Sequence, residues 1–314
     1  MIIKIKRIIL TVYKCLRYFN FNVCYAKIKC ILSNDSLKAT IKKYNAEYNF
    51  LKKRYQFLID KYNNEDCCLN VNNEKELLPI WVFWWQGLDK MPPIIKSCYD
   101  SKIAHSNGHP IILLTEDNYS KYVEFPKFIL KQLESGQLRI QHFADMLRIK
   151  LLRKYGGMWM DASIYCNRDI PEDFFDYSVF SLKNSTDNPY FISNDKWTTF
   201  LIGGHSSHPI FEFIDDIFMD YCKNEKPFID YFMFDEIIAL AYNNINIVKS
   251  DMDIIPFCKG DYRWLSKHIK SEVTDELLLE MKNNNSVFYK IPWKMEHCGV
   301  KSFFEYIAKE KNNG

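Results

Sequence analysis

The stretch RIQHFADMLRIKLLRKYGGMWMDASIYC, Arg139 to Cys166, carries the reading of the fold. Ile140, Phe143, Leu147, Leu151 and Leu152 recur at helical spacing and predict one apolar face. Asp145 and Arg148 stand at i and i+3, so both leave that helix on one side, with His142 one turn earlier. Tyr155-Gly156-Gly157 ends the helix, because glycine accepts the left-handed backbone of a helix terminus. Met158-Trp159-Met160 predicts a buried strand, which Asp161-Ala162-Ser163 breaks and Ile164-Tyr165 resumes. This order sets Asp161 at a strand end with a solvent-accessible carboxylate. Such an oxygen suits a hard divalent cation, which needs only one or two protein carboxylates when diphosphate oxygens share the shell. Asp145 and Arg148 can then meet hydroxyls and phosphate from the other side. A plain Asp–Arg helix pair is the structural alternative.

Upstream, LPIWVFWWQG (Leu78 to Gly87) predicts a buried strand, and Pro110 to Leu114 a second one. A helix over Ile94 to Ala104 separates them, and Thr115 predicts the cap of another. Strand, helix, strand, helix implies an α/β fold with a mostly parallel sheet flanked by helices. The carboxyl ends of its strands are where ligands bind, which makes Trp84 and Trp85 candidates for stacking on a base or sugar, with core packing as the alternative. GxGxxG and GxxxxGK[ST] patterns are absent.

Downstream, WTTFLIGG (Trp197 to Gly204) predicts a strand, and Ile210 to Cys222 a helix. His205 and His208 lie between them, in a segment that reads as a surface loop. Tyr231 to Ala241 predicts a helix on which Asp235 and Glu236 diverge by about 100°, too far to act as a paired acid and base. Ile291 to Cys298 reads as a closing strand, where Lys294 can meet a diphosphate and His297 can complete a metal shell.

The first 54 residues hold 13 Lys+Arg and 2 Asp+Glu, whereas the other 260 hold 29 and 37. The basic excess therefore sits outside the expected globular domain, which argues against a nucleic-acid role. Residues 1–32 disperse Ile, Leu, Phe and Tyr among the cations, without the long apolar run of a spanning helix or a cleavable signal. They read as a segment on an anionic membrane surface, or else as an ordinary surface helix. Leu37, Ile41, Tyr44, Tyr48, Leu51, Tyr55, Leu58 and Tyr62 step by four and three, predicting one helix of about eight turns. It packs on its own domain or on a second copy, and oligomeric state stays open. The expected divisions are residues 1–32, a helix and linker over 33–76, a catalytic domain over 77–308 and a tail over 309–314. At 47% apolar and 26% charged, the composition excludes a wholly disordered chain and a polytopic membrane protein. The ten scattered cysteines read as reduced core thiols.

FADMLRIKLLRKYGGMWMDAS resembles the donor-binding core of capsular polysaccharide synthesis proteins, bacterial glycosyltransferases related to glycosyltransferase family 32. More distantly it is similar to the catalytic domain of large clostridial glucosylating toxins. The resemblance spans residues 78 to about 300 and is specific in 139–166. It implies a GT-A-like fold, a nucleotide-sugar donor (a UDP-sugar), Mn²⁺ or Mg²⁺, and retention of anomeric configuration. It implies donor contacts at Asp145, Arg148 and one of Trp84 and Trp85, to which Gly157 and Lys294 add as donor-binding candidates of this sequence. It implies a metal and diphosphate role for Asp161, a sugar or acceptor role for Asp235, and an acceptor near His205 and His208; Ser163 and His297 are this sequence's own candidates for the rest of the metal shell. The acceptor would be a lipid-linked or growing glycan, and the enzyme would be cytoplasmic, peripheral on the inner face of the plasma membrane. The wider family reads Asp-x-Asp where this chain has Asp161-Ala162-Ser163, and a hydroxyl is the weaker ligand. That departure keeps two rivals open: a phosphosugar transferase, and a membrane-tethered scaffold with a degenerate site.

Overall fold

The computed structural model describes residues 2–64, 77–224, 227–295, 299 and 301–309. Four helices come first: α1 (Ile2–Tyr18), α2 (Phe21–Leu32), α3 (Leu37–Arg54) and α4 (Gln56–Asn64). Then follow β1 (Ile80–Phe83), α5 (Pro93–Ala104), β2 (Ile111–Leu114), α6 (Lys127–Glu134), α7 (Ile140–Tyr155), β3 (Gly157–Met160) and β4 (Ile164–Cys166). The second half holds β5 (Val179–Ser181), β6 (Leu201–Gly204), α8 (Pro209–Asn224), α9 (Met233–Asn244) and α10 (Asn246–Asp253). It closes with α11 (Trp264–His268), α12 (Asp275–Asn283), β7 (Phe288–Lys290) and α13 (Phe303–Lys309).

The main sheet has the order β2-β1-β3-β6-β5. β2, β1 and β3 run parallel, and β6 is antiparallel to both β3 and β5. Four of the five strands therefore point one way, as the alternating strand–helix pattern predicts. Successive side chains on a strand face opposite sides of the sheet. Accordingly Trp81, Trp159 and Ile202 enter a core with α7, α8 and α9, while Ile80, Val82, Met158, Met160 and Leu201 enter a second core with α5, α11 and α13.

The glycine pair after α7 acts in packing. Gly156 (φ +67°) and Gly157 (φ +90°) both need the left-handed region. A Cβ on Gly157 would meet the Pro79 carbonyl oxygen at 2.2 Å, so only glycine lets β3 lie this close to β1.

Several elements depart from the sequence expectation. The tyrosine-seamed helix breaks at Tyr55, whose N–H still caps Leu51 at 2.9 Å before α4 sets off. The break lets α4 reach α8, where the Tyr62 hydroxyl donates to Asp216 at 3.0 Å and its ring meets Phe213 edge-on. Tyr48 accepts from Asn244 of α9, so these phenols find partners within the chain. Thr115 caps no α-helix: its hydroxyl accepts from Asp117, its N–H donates to Asn118, and a 3-10 turn follows at Tyr119–Lys121. The strand expected over Trp197 to Gly204 is confined to Leu201–Gly204. The strand after Asp161 leaves the main sheet, because β4 pairs with β7 in a separate two-stranded sheet. That closing strand ends at Lys290, ahead of the predicted Ile291.

The first helices also belong to the core. Val23, Leu51 and Tyr55 are fully buried in the same cluster as Phe213 and Ile237. Glu47 of α3 is buried beside Lys27, and Lys43 donates to Asp230 at 2.9 Å. α1 keeps Ile9 and Leu16 exposed. Among the described residues, no helix is long and apolar enough to cross a membrane. Cys98, Cys166 and Cys222 are buried, which pushes their thiols up to about 11, 12 and 12.

Candidate functional site

A cleft of about 710 Å³ opens at the carboxyl ends of β1 and β3. α7 delivers Asp145 and Arg148 to it, the β3 end delivers Asp161, and the turn after β1 delivers Trp84 and Trp85. Asp235 of α9 and Lys90, Lys290 and Lys294 complete its charged lining.

Arg148 is the hub. Its guanidinium donates to Asp161 Oδ1 at 3.3 Å and to the Thr199 carbonyl, and lies 3.5 Å from Asp145. It is held over Trp159 (4.7 Å to the ring centroid) and near Phe234 (5.1 Å), an aromatic sandwich that suits a planar cation. The i, i+3 spacing seen in sequence thus becomes a three-residue ion-pair cluster of Asp145, Arg148 and Asp161.

Asp161 is fully engaged. Oδ1 also accepts the Trp159 indole N–H at 3.0 Å, and Oδ2 accepts from Lys290 Nζ at 2.7 Å. Its N–H donates to the Phe200 carbonyl at 2.8 Å, which fixes the turn against the chain leading into β6. Burial acts to raise its carboxyl, but Lys290 and Arg148 outweigh it and hold the group below the usual range. Asp235 behaves oppositely. Burial first, then the charge of Asp145, pushes its carboxyl up to about 7, although the Trp197 indole donates to it at 3.1 Å.

Two functional lysines escaped the sequence reading. Lys290 leaves β7 opposite Ile164 and reaches back to Asp161. Lys102 of α5 is fully buried and donates to the carbonyls of Cys98 (3.1 Å), Ala162 (3.2 Å) and Ile164. Burial lowers its ammonium. It ties the Asp161-Ala162-Ser163 turn to α5.

The remaining candidates are scattered. Trp85 lines the cleft, stacked on Tyr119 (6.0 Å between centroids, 26° between planes), and Trp84 lines it beside Trp293. The Trp84 indole N–H is buried with no acceptor among the described residues. Gly157 lies at the opposite end of β3 from Asp161, against Pro79. His208 is buried 3.4 Å from Asp251, and burial lowers its imidazole; His205 faces the Phe175 carbonyl. Neither histidine lines the cleft. His297 lies outside the described residues.

The described residues do not fit the shell of a hard divalent cation. Asp161 shares both oxygens with cations, and Ser163 beside it offers at most a hydroxyl. An ion on Oδ2 would stand in the place of the Lys290 ammonium. Two unit charges 4 Å apart near a protein surface interact by about 4 kcal/mol, and a dication doubles that repulsion.

An α/β protein with an aromatic-walled, charged cleft at its parallel strand ends has the build of a small-ligand-binding enzyme domain. More specifically, residues 27–308 match the family described as Capsular polysaccharide synthesis protein, and the chain belongs to that family. It is also similar to the O-glycosyltransferase braB of Annulohypoxylon truncatum, 28% identical over 102 residues, which are 30% of this chain and 24% of that protein. The chain thus matches about a quarter of the length of that relative. A solved structure described as WbbM bifunctional glycosyltransferase in its apo form aligns over 74% of this chain and 50% of that chain, at 11% identity and a TM-score of 0.38.

Proposed function

We propose that this protein is a glycosyltransferase that moves a sugar from a nucleotide-sugar donor, a UDP-sugar, to a hydroxyl of a lipid-linked or growing surface glycan. The observation that carries the reading is the convergence of Trp85, Asp145, Arg148, Asp161 and Lys294 on one cleft from four separate chain segments. The wall of Trp84 and Trp85 suits a base, which stacks on an indole face. Asp145 offers its carboxylate to sugar hydroxyls. Lys90, Lys290 and Lys294 face the position of a diphosphate, and the leaving group gains most from charge that is already oriented.

The acceptor oxygen would attack on the face from which the diphosphate departs, giving retention without a protein nucleophile. Asp235, with its carboxyl near neutrality, would hydrogen-bond sugar or acceptor in either protonation state. The exposed apolar residues Ile9 and Leu16 among the cations of α1 support a peripheral place on an anionic, cytosol-facing membrane.

The test is a thermal-shift screen of nucleotide sugars, followed by assay of nucleoside diphosphate release. One UDP-sugar should stabilise the protein and be turned over, and Asp161→Asn should abolish turnover while remaining folded. Full activity of that variant would sink the assignment.

A further inference from the structure

We propose that Lys290 is a catalytic residue, whose ammonium takes the place of a divalent ion at Asp161 and receives the departing diphosphate. The inference rests on the glycosyltransferase reading and deepens it at the same site.

The geometry begins with the Asp161 carboxylate. Lys290 Nζ lies 2.7 Å from Oδ2 and so engages the carboxylate oxygen that would otherwise be free to hold a divalent ion. Both side chains are 31% exposed, so the pair is open to a ligand in the cleft. The lysine is braced for this role. Its strand pairs with β4, its N–H donates to the Tyr262 carbonyl at 3.0 Å, and its ammonium lies 4.9 Å from the Phe200 ring centroid. An ammonium has three donors, and Asp161 takes one.

The charge balance of the cleft agrees. Its lining carries Lys90, Arg148, Lys290 and Lys294 against Asp145, Asp161 and Asp235, the last only part-ionised at neutral pH. Four cations against three carboxylates leave a positive excess, which suits the diphosphate directly.

In the transfer step, the bond between the anomeric carbon and the diphosphate oxygen breaks, and its electron pair stays with the diphosphate. The acceptor hydroxyl oxygen bonds to the anomeric carbon, and its proton passes to the departing diphosphate. Lys290 keeps its proton and donates a hydrogen bond to the oxygen that gains charge. Asp161 holds the ammonium in place, so Asp161→Asn removes the anchor rather than a metal ligand.

The experiment uses the full chain and UDP as probe, with calorimetry in EDTA and in added Mn²⁺, alongside Mn²⁺ binding followed by electron paramagnetic resonance. UDP should bind the wild type equally in both buffers, and Lys290→Met should weaken it at least about tenfold. Loss of a preorganised charge at the leaving group should lower turnover by about 10²–10³. Lys290→Arg, which keeps the charge, should retain a measurable part of both, and it separates charge from folding if Lys290→Met is unstable. Mn²⁺ should bind Lys290→Met better than wild type. UDP binding that vanishes in EDTA and returns with Mn²⁺ would overturn the Lys290 proposal alone. Absence of UDP binding in every condition would overturn it together with the UDP-sugar reading.

Discussion

The ammonium of Lys102 donates to the carbonyl of Ala162 at 3.2 Å, one residue beyond Asp161. The same group also donates to the carbonyls of Ile164 and Cys98. A fully buried lysine without a carboxylate partner in these contacts is costly, since desolvation opposes its charge. The compensation is three backbone carbonyls, one in the turn that presents the key carboxylate and one at the first residue of β4 just after it.

Lys102→Met should therefore lose both stability and site geometry. We expect a drop of about 2–4 kcal/mol in urea unfolding, because buried carbonyls lose their donor. UDP affinity should fall with it, measured where the variant is still folded. A variant that unfolds like wild type and binds UDP normally would show that the turn needs no such brace.

Asp235 sets a pH dependence of stability. Burial raises its folded carboxyl to about 7, from an ordinary value near 3.8. A raised carboxyl contributes stability that is fully present below the unfolded value and is lost as pH rises through the folded one. Relative to Asp235→Asn, wild type should lose up to about 1.4 kcal/mol per pH unit between about pH 4 and pH 7. Urea unfolding at about pH 5 and about pH 8 checks this, and parallel curves for the two proteins would refute it.

Glu47 and Glu236 are both fully buried where α3 meets α9, one residue from Asp235. Burial and the neighbouring Glu47 charge push Glu236 well up; burial also raises Glu47, against the opposing charges of Lys27 and Lys43. The two partners should respond with unlike magnitudes. Lys27→Met leaves the buried Glu47 with only Lys43, 4.0 Å away, and should cost about 3–5 kcal/mol. Burial already disfavours the ionised form of Glu236, so Glu236→Gln should change stability by less than about 1 kcal/mol. Chemical denaturation of the two variants measures both, and equal losses would contradict this picture.

Much of this arrangement was legible along the chain. The 3.6-residue period, the Gly156-Gly157 stop and the apolar Met158-Trp159-Met160 run predict α7 and β3 because each is a local consequence of backbone preference and burial. Asp145, Arg148 and Asp161 could be grouped because one helix and the strand after it carry all three. Elements whose length depends on a distant surface were harder. The break at Tyr55 follows from what α4 must reach on α8, and no residue at 55 announces it.

The sequence by itself determined the class of fold, the helix–strand unit at its centre and the carboxylate at the strand end, since these arise from contacts between near neighbours. Only the tertiary structure decided what that carboxylate faces. Lys102 lies 60 residues from Ala162, and Lys290 lies 129 residues from Asp161. Neither lysine sits in a motif, because the charge a carboxylate meets is set by folded proximity, which no spacing along the chain encodes.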